Sequence, residues 1–267
     1  MKPEEKERNL KRQIARLKNV LIAFSGGTDS AYLSYIAARV DSLSVLAATI
    51  QTPYMHQHEM QNARSFCFHH KIKHLVIPLD MADEIAFNPD ERCYCCKKNM
   101  MRILKKTAVD FNIQAIFDGT NVDDLSDYRP GMKALGECGI LSPLKDAEMT
   151  KEDIRQCSQN AGLQTWDKPA NACLLTRFPH NKRITIQDLR SVEQAEQFLD
   201  SLGFKGARVR IHDKITRIEL QPRHLKNPFP EGYRRKVVQK FKQLGYHHIT
   251  LDLEGYRSGT MTQERPS

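Results

Sequence analysis

The sequence predicts an α/β protein in which a parallel β-sheet has helices on both faces and a small α+β domain follows it. Short apolar runs alternate with helical patterns through the first two-thirds of the chain, which is typical of parallel strands joined by crossover helices. The first apolar run, residues 20–24, stops at a glycine pair and leads into a helical pattern. Beyond residue 181 apolar and charged residues alternate, as in a half-exposed antiparallel pair of strands.

The composition indicates a globular protein of a reducing compartment. The chain has 267 residues, 40% of them hydrophobic, and no apolar run approaches the ~20 residues that span a bilayer. Residues 1–8 are of mixed charge and lack the apolar stretch of a secretory signal. Seven cysteines, an odd number at low density, favour free or metal-binding thiols over a disulfide scaffold. We therefore expect a cytoplasmic protein with no membrane partner.

Hydrophobic patterns place the elements of the first domain in order. An amphipathic helix over residues 4–18 carries Leu10, Ile14 and Leu17 at helical spacing. Strands are predicted at 20–24, 44–50, 73–79 and 113–117, and helices at 31–40, 58–70 and 100–110. Loops follow three of these strands, at 25–30, 51–54 and 118–124. Because parallel strands end at the same edge of a sheet, these loops should converge on one crevice.

The remaining elements complete the first domain and form the second. Thr150 and Asp153 resemble a capping box for a helix that runs to about Ala161. A proline-containing loop over 164–179 holds the single tryptophan, and the domain boundary is predicted just beyond it. The division is therefore a nucleotide-binding domain, 1–181, and a small α+β domain, 182–267. The elements predicted in the second domain are helices at 187–202 and 232–244 and strands at 207–211, 215–220 and 248–253.

Residues 25–30, Ser-Gly-Gly-Thr-Asp-Ser, form a glycine loop between the first strand and its helix. Such a loop suits a phosphate, because the first N–H groups of a helix are free and glycine lets the backbone approach a ligand closely. The loop is not a Walker A motif, since that spacing and its lysine are absent. It resembles instead the PP-loop of ATP pyrophosphatases, the adenine nucleotide α-hydrolase-like proteins. The resemblance implies that ATP is split between its α- and β-phosphates, giving an adenylated substrate and pyrophosphate.

Residues in and beside the glycine loop are expected to bind ATP and to assist its cleavage. The predicted ATP-binding residues are Ser25, Gly26, Gly27, Asp29, Ser30, Gly119, Thr120 and Asn121. Asp29 is expected to help to hold Mg²⁺, which proteins bind through one or two carboxylates and phosphate oxygens. Arg129 is expected to neutralise charge that develops during adenylation.

The cysteines indicate a second chemical step after ATP cleavage. Cys93 and Cys96 form a Cys-x-x-Cys pair with Cys95 between them, a spacing that can share a zinc ion or an iron–sulfur cluster. A redox-active pair is an alternative. Cys173 could join the pair, because three cysteines around a four-iron cluster leave one iron to carry a sulfide. It could also act alone, as a catalytic thiolate that attacks an activated carboxylate.

Motifs along nearly the whole chain extend the resemblance to one family. They are the PP-loop, Arg92-Cys93-Tyr94-x-Cys96-Lys97, Asp118-Gly119-Thr120-Asn121, Asp127-x-Arg129-Pro130-Gly131, Trp166-Asp167-Lys168-Pro169, Ala172-Cys173-Leu174, Arg177-Phe178-Pro179 and Arg208-Val209-Arg210. The chain resembles the LarE-type ATP-dependent sulfur transferases, which make the nickel-pincer nucleotide cofactor. The resemblance implies that a carboxylate of a pyridinium mononucleotide is adenylated and then converted to a thiocarboxylate. It also implies a homo-oligomer, a hexamer.

Two sulfur sources are implied by the resemblance. In one branch of the family the cysteine matching Cys173 gives up its sulfur and ends as dehydroalanine. In the other branch three cysteines bind a [4Fe-4S] cluster that carries a labile sulfide. We expect the cluster branch, because Cys93, Cys96 and Cys173 occupy all three positions. Cys95 departs from the family pattern and could replace a neighbour as iron ligand.

A basic stretch is the candidate site for the substrate phosphate. Residues 203–247 hold twelve Lys/Arg against three Asp/Glu, which favours an anionic partner. Arg208 and Arg210, two residues apart on a strand, project from one face and can hold a phosphate between them. Given the resemblance, we expect them to bind the 5′-phosphate of the mononucleotide. Glu196 and Glu219 are expected to line the same pocket, with Glu219 as a ligand of a divalent ion.

A tRNA thiolation enzyme is the alternative function. PP-loop proteins with cysteine pairs also modify tRNA, and the basic residues favour this function. However, the chain shows no appended RNA-binding motif and few aromatic residues that could stack on bases, so we expect no nucleic-acid partner. A non-catalytic nucleotide-binding regulator is a third class, and it would leave the cysteines without a role.

Overall fold

The structure, a computed structural model, describes residues 1–125, 136–168 and 172–257. The chain forms two compact units. The first consists of Met1–Asp80 and Glu91–Asn171, and the second of Met81–Asp90 and the chain from Ala172 onward. A short segment of the second unit is thus inserted between the two parts of the first. The division into functional domains at residue 181 stays a prediction.

A four-stranded sheet, parallel throughout, lies at the centre of the first unit. The strands are β1 (Asn19–Ala23), β2 (Ser44–Gln51), β3 (Lys73–Pro78) and β4 (Ala115–Phe117). Their order is β3-β2-β1-β4, with Leu21 of β1 paired to Leu46 of β2 and to Ile116 of β4. The predicted strands lie within two residues of these bounds. The sheet confirms the predicted α/β class and places the ends of β1, β2 and β4 at one edge.

Helices cover both faces of this sheet. The α-helices whose bounds fall within the described residues are α1 (Pro3–Ile14), α2 (Thr28–Ala37), α3 (Gln57–His69), α4 (Asp83–Ala86), α5 (Arg92–Asp110), α6 (Pro143–Asp146), α7 (Lys151–Asn160), α8 (Ile186–Ser201) and α9 (Glu231–Gln243). Val20 and Ile22 of β1 belong to a core with α1, α2, α3 and α7, whereas Leu21 packs in a second core with α5. Alternate residues of one strand therefore face two helical layers, which explains why β1 is apolar throughout.

Helix α5 differs most from the sequence prediction. A helix was predicted only over residues 100–110, but α5 begins at Arg92 and carries all three clustered cysteines. Its first two turns lack an apolar period that would reveal a helix, and the predicted start was wrong by eight residues. At 19 residues α5 is the longest helix described, yet neither it nor any other helix in the described ranges is long and apolar enough to cross a membrane.

The second unit is built on a small mixed sheet. Its strands are β5 (Arg208–His212), β6 (Ile215–Glu219) and β7 (His248–Leu251), in the order β5-β6-β7. The β5–β6 pair is antiparallel, as predicted, and β6–β7 is parallel. Helix α8 starts with a capping box, in which the Thr185 hydroxyl accepts from the Asp188 N–H. Leu189, Val192 and Leu199 of α8 are fully buried and form part of the core of this unit.

Candidate functional site

The loop between β1 and α2 depends on glycine for its shape. Gly26 has a φ of 72°, a left-handed conformation, and a Cβ there would lie 3.2 Å from the Cβ of Ala63. Gly27 is the N-cap residue of α2. The hydroxyl oxygens of Ser25 and Ser30 lie 3.0 Å apart. The loop thus gathers two hydroxyls and the first N–H groups of α2 at the carboxyl edge of the sheet, which suits an anion.

Gly119, two residues beyond the end of β4, lets a second loop approach the start of α2. A Cβ at this position would lie 3.0 Å from the backbone nitrogen of Ser30 and 3.3 Å from its Cα. These are backbone atoms, so no side chain could move aside to make room. The close approach brings the Asn121 amide within 3.2 Å of the Asp29 carboxylate. Gly119 is therefore needed to assemble this part of the site, whether or not it contacts ATP.

Two acidic residues, Asp29 and Asp124, are held by the same asparagine. The side-chain amide of Asn121 donates to Asp29 and its backbone N–H donates to Asp124, both at 3.2 Å. Burial, together with the negative charge of Asp124, raises the pKa of Asp29 to about 6. Lys151 lies 3.1 Å from Asp124 and offsets part of this repulsion. A half-buried carboxylate, Asp29, and a buried one, Asp124, that repel each other form a donor set suited to a divalent cation.

The side chain of Thr120 points back into its own loop. Its hydroxyl donates to Asp118, and the other oxygen of Asp118 accepts from the Ser142 hydroxyl at 2.7 Å. All three residues are buried. These bonds fix the loop that carries Asn121, and the predicted contact of Thr120 with the nucleotide stays a prediction.

The segment 165–168 also contacts the glycine loop, although its residues were not among the predicted site residues. The Thr28 hydroxyl donates to the Thr165 carbonyl at 2.8 Å, and the Lys168 ammonium donates to the Gly26 carbonyl at 2.9 Å. Lys168 is 142 residues from Gly26 along the chain, so no local pattern indicates the contact. Asp124 was also missed, although its place in a loop after a parallel strand was a usable signal.

The paired cysteines lie on the first turns of α5. Cys93 and Cys96 are three residues apart, which puts both on one side of the helix. Cys93 is exposed, whereas Cys96 is half-buried and its sulfur lies 3.0 Å from the Tyr54 hydroxyl. Cys95 points about 100° away from Cys96 around the helix axis. The geometry of α5 therefore favours Cys93 and Cys96 as a pair of metal ligands.

Cys173 belongs to the second unit and lies just before a short 3₁₀ helix, Leu174–Arg177. Its carbonyl accepts from the Thr176 hydroxyl at 2.8 Å and from the Arg177 guanidinium at 3.4 Å. Arg177 is 1% exposed and makes two hydrogen bonds to Glu196, at 2.8 and 3.1 Å. Burial alone would raise the pKa of Glu196, but Arg177 lowers it below its ordinary value. A buried ion pair thus holds the backbone at Cys173 while the residue itself is only half-buried.

Arg208 and Arg210 project from the same face of β5, and both are buried. Arg210 donates to Glu219 at 3.1 Å and to the Thr176 carbonyl at 2.7 Å, which links it to the segment after Cys173. Burial lowers the pKa of Arg210, and the charge of Glu219 opposes that change. Glu219 also accepts from Arg217 at 2.9 Å. Both predicted glutamates have arginine partners here, and their contact with a substrate or a divalent ion stays a prediction.

Arg129, the residue predicted to assist adenylation, lies outside the described residues. Its role stays a prediction from the sequence.

The sheet order, the serine–glycine loop after β1 and the carboxylates beside it define an α/β protein of the PP-loop type. No protein-family model matches the chain. An uncharacterized protein of Synechocystis sp. is 38% identical over 262 residues, which cover 97% of this chain and 98% of that protein. An uncharacterized protein of Methanocaldococcus jannaschii is 35% identical over 250 residues, covering 94% and 95%.

A third relative has a descriptive name. The pyridinium-3,5-bisthiocarboxylic acid mononucleotide synthase of Lactiplantibacillus plantarum is 33% identical over 248 residues, which cover 92% of this chain and 89% of that protein. The chain therefore belongs to the LarE-type family of sulfur transferases.

Proposed function

We propose that this protein is an ATP-dependent sulfur transferase of nickel-pincer nucleotide biosynthesis. It adenylates a carboxylate of a pyridinium mononucleotide, releases pyrophosphate, and converts the acyl adenylate to a thiocarboxylate and AMP. The observation that carries the proposal is the similarity, over 92% of the chain, to a pyridinium-3,5-bisthiocarboxylic acid mononucleotide synthase. The glycine loop supports the ATP step, and the cysteines support the sulfur step.

The glycine loop binds the leaving pyrophosphate in this proposal. A carboxylate oxygen of the substrate attacks the α-phosphorus of ATP, and the bond from that phosphorus to the bridging oxygen breaks. The hydroxyls of Ser25 and Ser30, with the N–H groups at the start of α2, donate to the pyrophosphate oxygens. Donors that are already in place stabilise the departing charge without reorganisation.

Asp29 and Asp124 fit a Mg²⁺ ion that accompanies ATP. Both are carboxylates, both are held by Asn121, and the charge of Asp124 is one cause of the raised pKa of Asp29. When bound, Mg²⁺ supplies charge neutralisation between these carboxylates and the phosphate oxygens. Asn121 orients the two acids toward this role, and Lys151 limits their repulsion.

Arg208 and Arg210 bind the 5′-phosphate of the substrate in this proposal. They are fixed on one face of β5, and Glu219 and Thr176 hold Arg210 in place. Such preorganisation reduces the side-chain entropy lost on binding. Glu196 keeps its hydrogen bond to Arg177, and Arg177 in turn holds the backbone at Cys173.

The sulfur reaches the acyl adenylate by way of Cys173. If its thiolate attacks the acyl carbon, AMP leaves and a thioester forms; loss of the Cα proton with cleavage of the Cβ–S bond then gives the thiocarboxylate and dehydroalanine. In the second route Cys93, Cys96 and Cys173, all of them free cysteines, would together bind a [4Fe-4S] cluster. When bound, that cluster supplies a labile sulfide.

Pyrophosphate release tests the proposed function. The purified protein, with ATP, Mg²⁺ and the pyridinium dicarboxylate mononucleotide, should release pyrophosphate and form a thiocarboxylate. Cys173→Ala should keep the pyrophosphate release and abolish the thiocarboxylate, because the thiol is not needed for adenylation. No release above the substrate-free rate would refute the proposed function, and retained sulfur transfer in Cys173→Ala would rule out both sulfur routes.

The relatives give no support to the alternative of tRNA thiolation. Filter binding to total tRNA at physiological salt should therefore show no specific retention, whereas a tRNA enzyme would bind with a steep salt dependence.

A further inference from the structure

Lys168 is a half-buried cation at the glycine loop, and its acidic partner Glu59 lies at the far limit of an ion pair. Its ammonium donates to the Gly26 carbonyl at 2.9 Å, and Glu59, its nearest acidic partner, is 3.9 Å away. Only 17% of the Lys168 side chain is exposed. Burial lowers the pKa of this lysine, and Glu59 only partly opposes the change. The Gly26 carbonyl and the Glu59 carboxylate offset only part of the free energy that the Lys168 ammonium loses when it is removed from water.

Hydrogen bonds that do not involve the Lys168 side chain hold the main chain of residues 165–168 in place. Arg155 donates to the carbonyls of Trp166 and Lys168, at 2.9 and 3.2 Å. The hydroxyl of Thr28, the first residue of α2, donates to the Thr165 carbonyl at 2.8 Å. With the main chain held at these points, the four-carbon side chain can exchange one acceptor for another without moving the segment.

The geometry points to Lys168 as a pyrophosphate-binding residue of the ATP site. Its ammonium leaves the Gly26 carbonyl when ATP enters and binds an oxygen of the β- or γ-phosphate held by the glycine loop. This inference rests on the proposed use of ATP and goes beyond it, because it assigns a residue 142 positions away from the loop to phosphate binding. It also explains why a half-buried lysine lies against a peptide carbonyl at the start of a helix: a phosphate there would be a closer charge partner than Glu59, which is 3.9 Å away.

The inference predicts a loss that depends on the ligand. We compare Lys168→Met and Lys168→Arg with Lys106→Met, which removes an exposed lysine from α5 of the same unit. Binding of inorganic pyrophosphate and of AMP, each with Mg²⁺, is measured by titration calorimetry. Lys168→Met should weaken pyrophosphate binding roughly 10-fold or more, the scale of one charge-assisted hydrogen bond, and leave AMP binding within about 2-fold. Lys168→Arg should recover part of the loss, and Lys106→Met should match the unaltered protein.

Two outcomes would overturn the inference. Equal weakening of AMP and pyrophosphate binding would mean that Lys168 only holds the loop in shape, and unchanged pyrophosphate binding would mean that it does not reach the phosphates. Thermal unfolding of each variant shows whether it is folded, and Lys168→Arg provides a charged variant if the methionine variant is unstable. The proposed function fails separately: a protein that binds pyrophosphate through Lys168 but forms no thiocarboxylate would refute only the sulfur transfer.

Discussion

At the scale of single residues, Asp29 is held in an environment that costs stability and favours cation binding. Its ordinary pKa of 3.8 rises to about 6, first through burial and then through the charge of Asp124. A carboxyl whose pKa is higher in the folded protein than in the unfolded chain destabilises the fold once it ionises. The penalty is absent below pH 4, develops between pH 4 and pH 6, and is complete above pH 6. A divalent cation would remove it by pairing with the carboxylate.

Asp29→Asn should therefore raise the stability of the fold and lower the activity. In metal-free buffer above pH 6 the variant should be more stable, by about 1–3 kcal/mol, because the buried charge and its repulsion from Asp124 are removed. The gain should shrink as the pH falls toward 4. Pyrophosphate release should drop roughly 100-fold, the scale of losing one well-placed electrostatic group. Asp41→Asn, at an exposed position, is the control for both measurements. A variant with unchanged stability and near-normal release would show that Asp29 is not part of the ATP site.

Gly119→Ala tests the close approach of the two loops. The new Cβ would lie 3.0 Å from the Ser30 nitrogen, so the backbone must shift, and we expect a loss of about 1–3 kcal/mol in the free energy of unfolding. ATP binding should weaken, because Ser30 and Asn121 move apart. Gly232→Ala is the matched control: it lies in α9, nothing is within 4 Å of its added Cβ, and alanine favours a helix. Normal ATP binding in Gly119→Ala would mean that the site tolerates a wider gap between the loops.

At the scale of elements, strands could be predicted from the sequence better than the helix that bears the cysteines. Strand β1 is apolar from Val20 to Ile22 because it is buried on both faces, and that pattern is local. The first turns of α5 have no such pattern, and they gain contacts from distant residues instead, such as Tyr54 at Cys96 and Glu137 at Tyr94. Contacts of this kind cannot be deduced from spacing along the chain.

The same distinction separates the site residues that were predicted from those that were missed. The residues of the glycine loop form one continuous stretch, so its motif alone located it. Lys168 contacts that loop from a distant segment, and Glu196 forms an ion pair with Arg177 that no pattern in the sequence indicated. Patterns along the chain indicate residue types that suit phosphate or metal, but they do not show which charges have already found partners in the fold.

The segment inserted between β3 and α5 holds the Cys173 region through one buried asparagine. The Asn88 side-chain amide donates to the carbonyls of Leu175, Phe178 and Pro179, at 3.4, 3.2 and 2.8 Å. Asn88 is fully buried and has a φ of 53°, a conformation that asparagine and glycine tolerate better than other residues. It therefore acts as a positioning residue for the segment that follows Cys173.

Asn88→Gly should impair sulfur transfer more than adenylation. Glycine accepts the backbone conformation, so the variant removes the three hydrogen bonds without adding strain. We expect the free energy of unfolding to fall by about 1–3 kcal/mol, because buried carbonyls lose their donor. Relative to the unaltered protein, the rate of thiocarboxylate formation should fall more than the rate of pyrophosphate release, with both rates measured in the same reaction. Asn181→Gly, at an exposed position with a φ of 58°, is the control. Equal losses in both steps would show that Asn88 supports the fold and not the position of Cys173.

At the scale of the whole molecule, the basic surplus is partly neutralised inside the second unit. Arg177, Arg210 and Arg217 pair with buried glutamates. Four exposed basic residues lie on α9: Arg234, Arg235, Lys236 and Lys242. The family resemblance implies a hexamer. Six chains of 30.7 kDa would give a particle of about 184 kDa, measurable by light scattering after gel filtration. If charge repulsion opposes assembly, the oligomer should become more stable as ionic strength rises. A monomer at every salt concentration would contradict the resemblance on this point.

The iron content of the purified protein distinguishes between the two proposed sulfur sources. Cys93 and Cys96 lie on one side of α5, and the family resemblance implies that they and Cys173 are the three ligands of a cluster. We therefore expect an anaerobic preparation to be brown, with about four irons per chain, and to complete more than one turnover. Cys93→Ser should remove the iron and the colour, whereas Cys67→Ser, which changes a buried cysteine of α3, should keep both if it folds. A colourless protein whose chain loses the mass of hydrogen sulfide at Cys173, once per chain, would show that the cysteine itself is consumed.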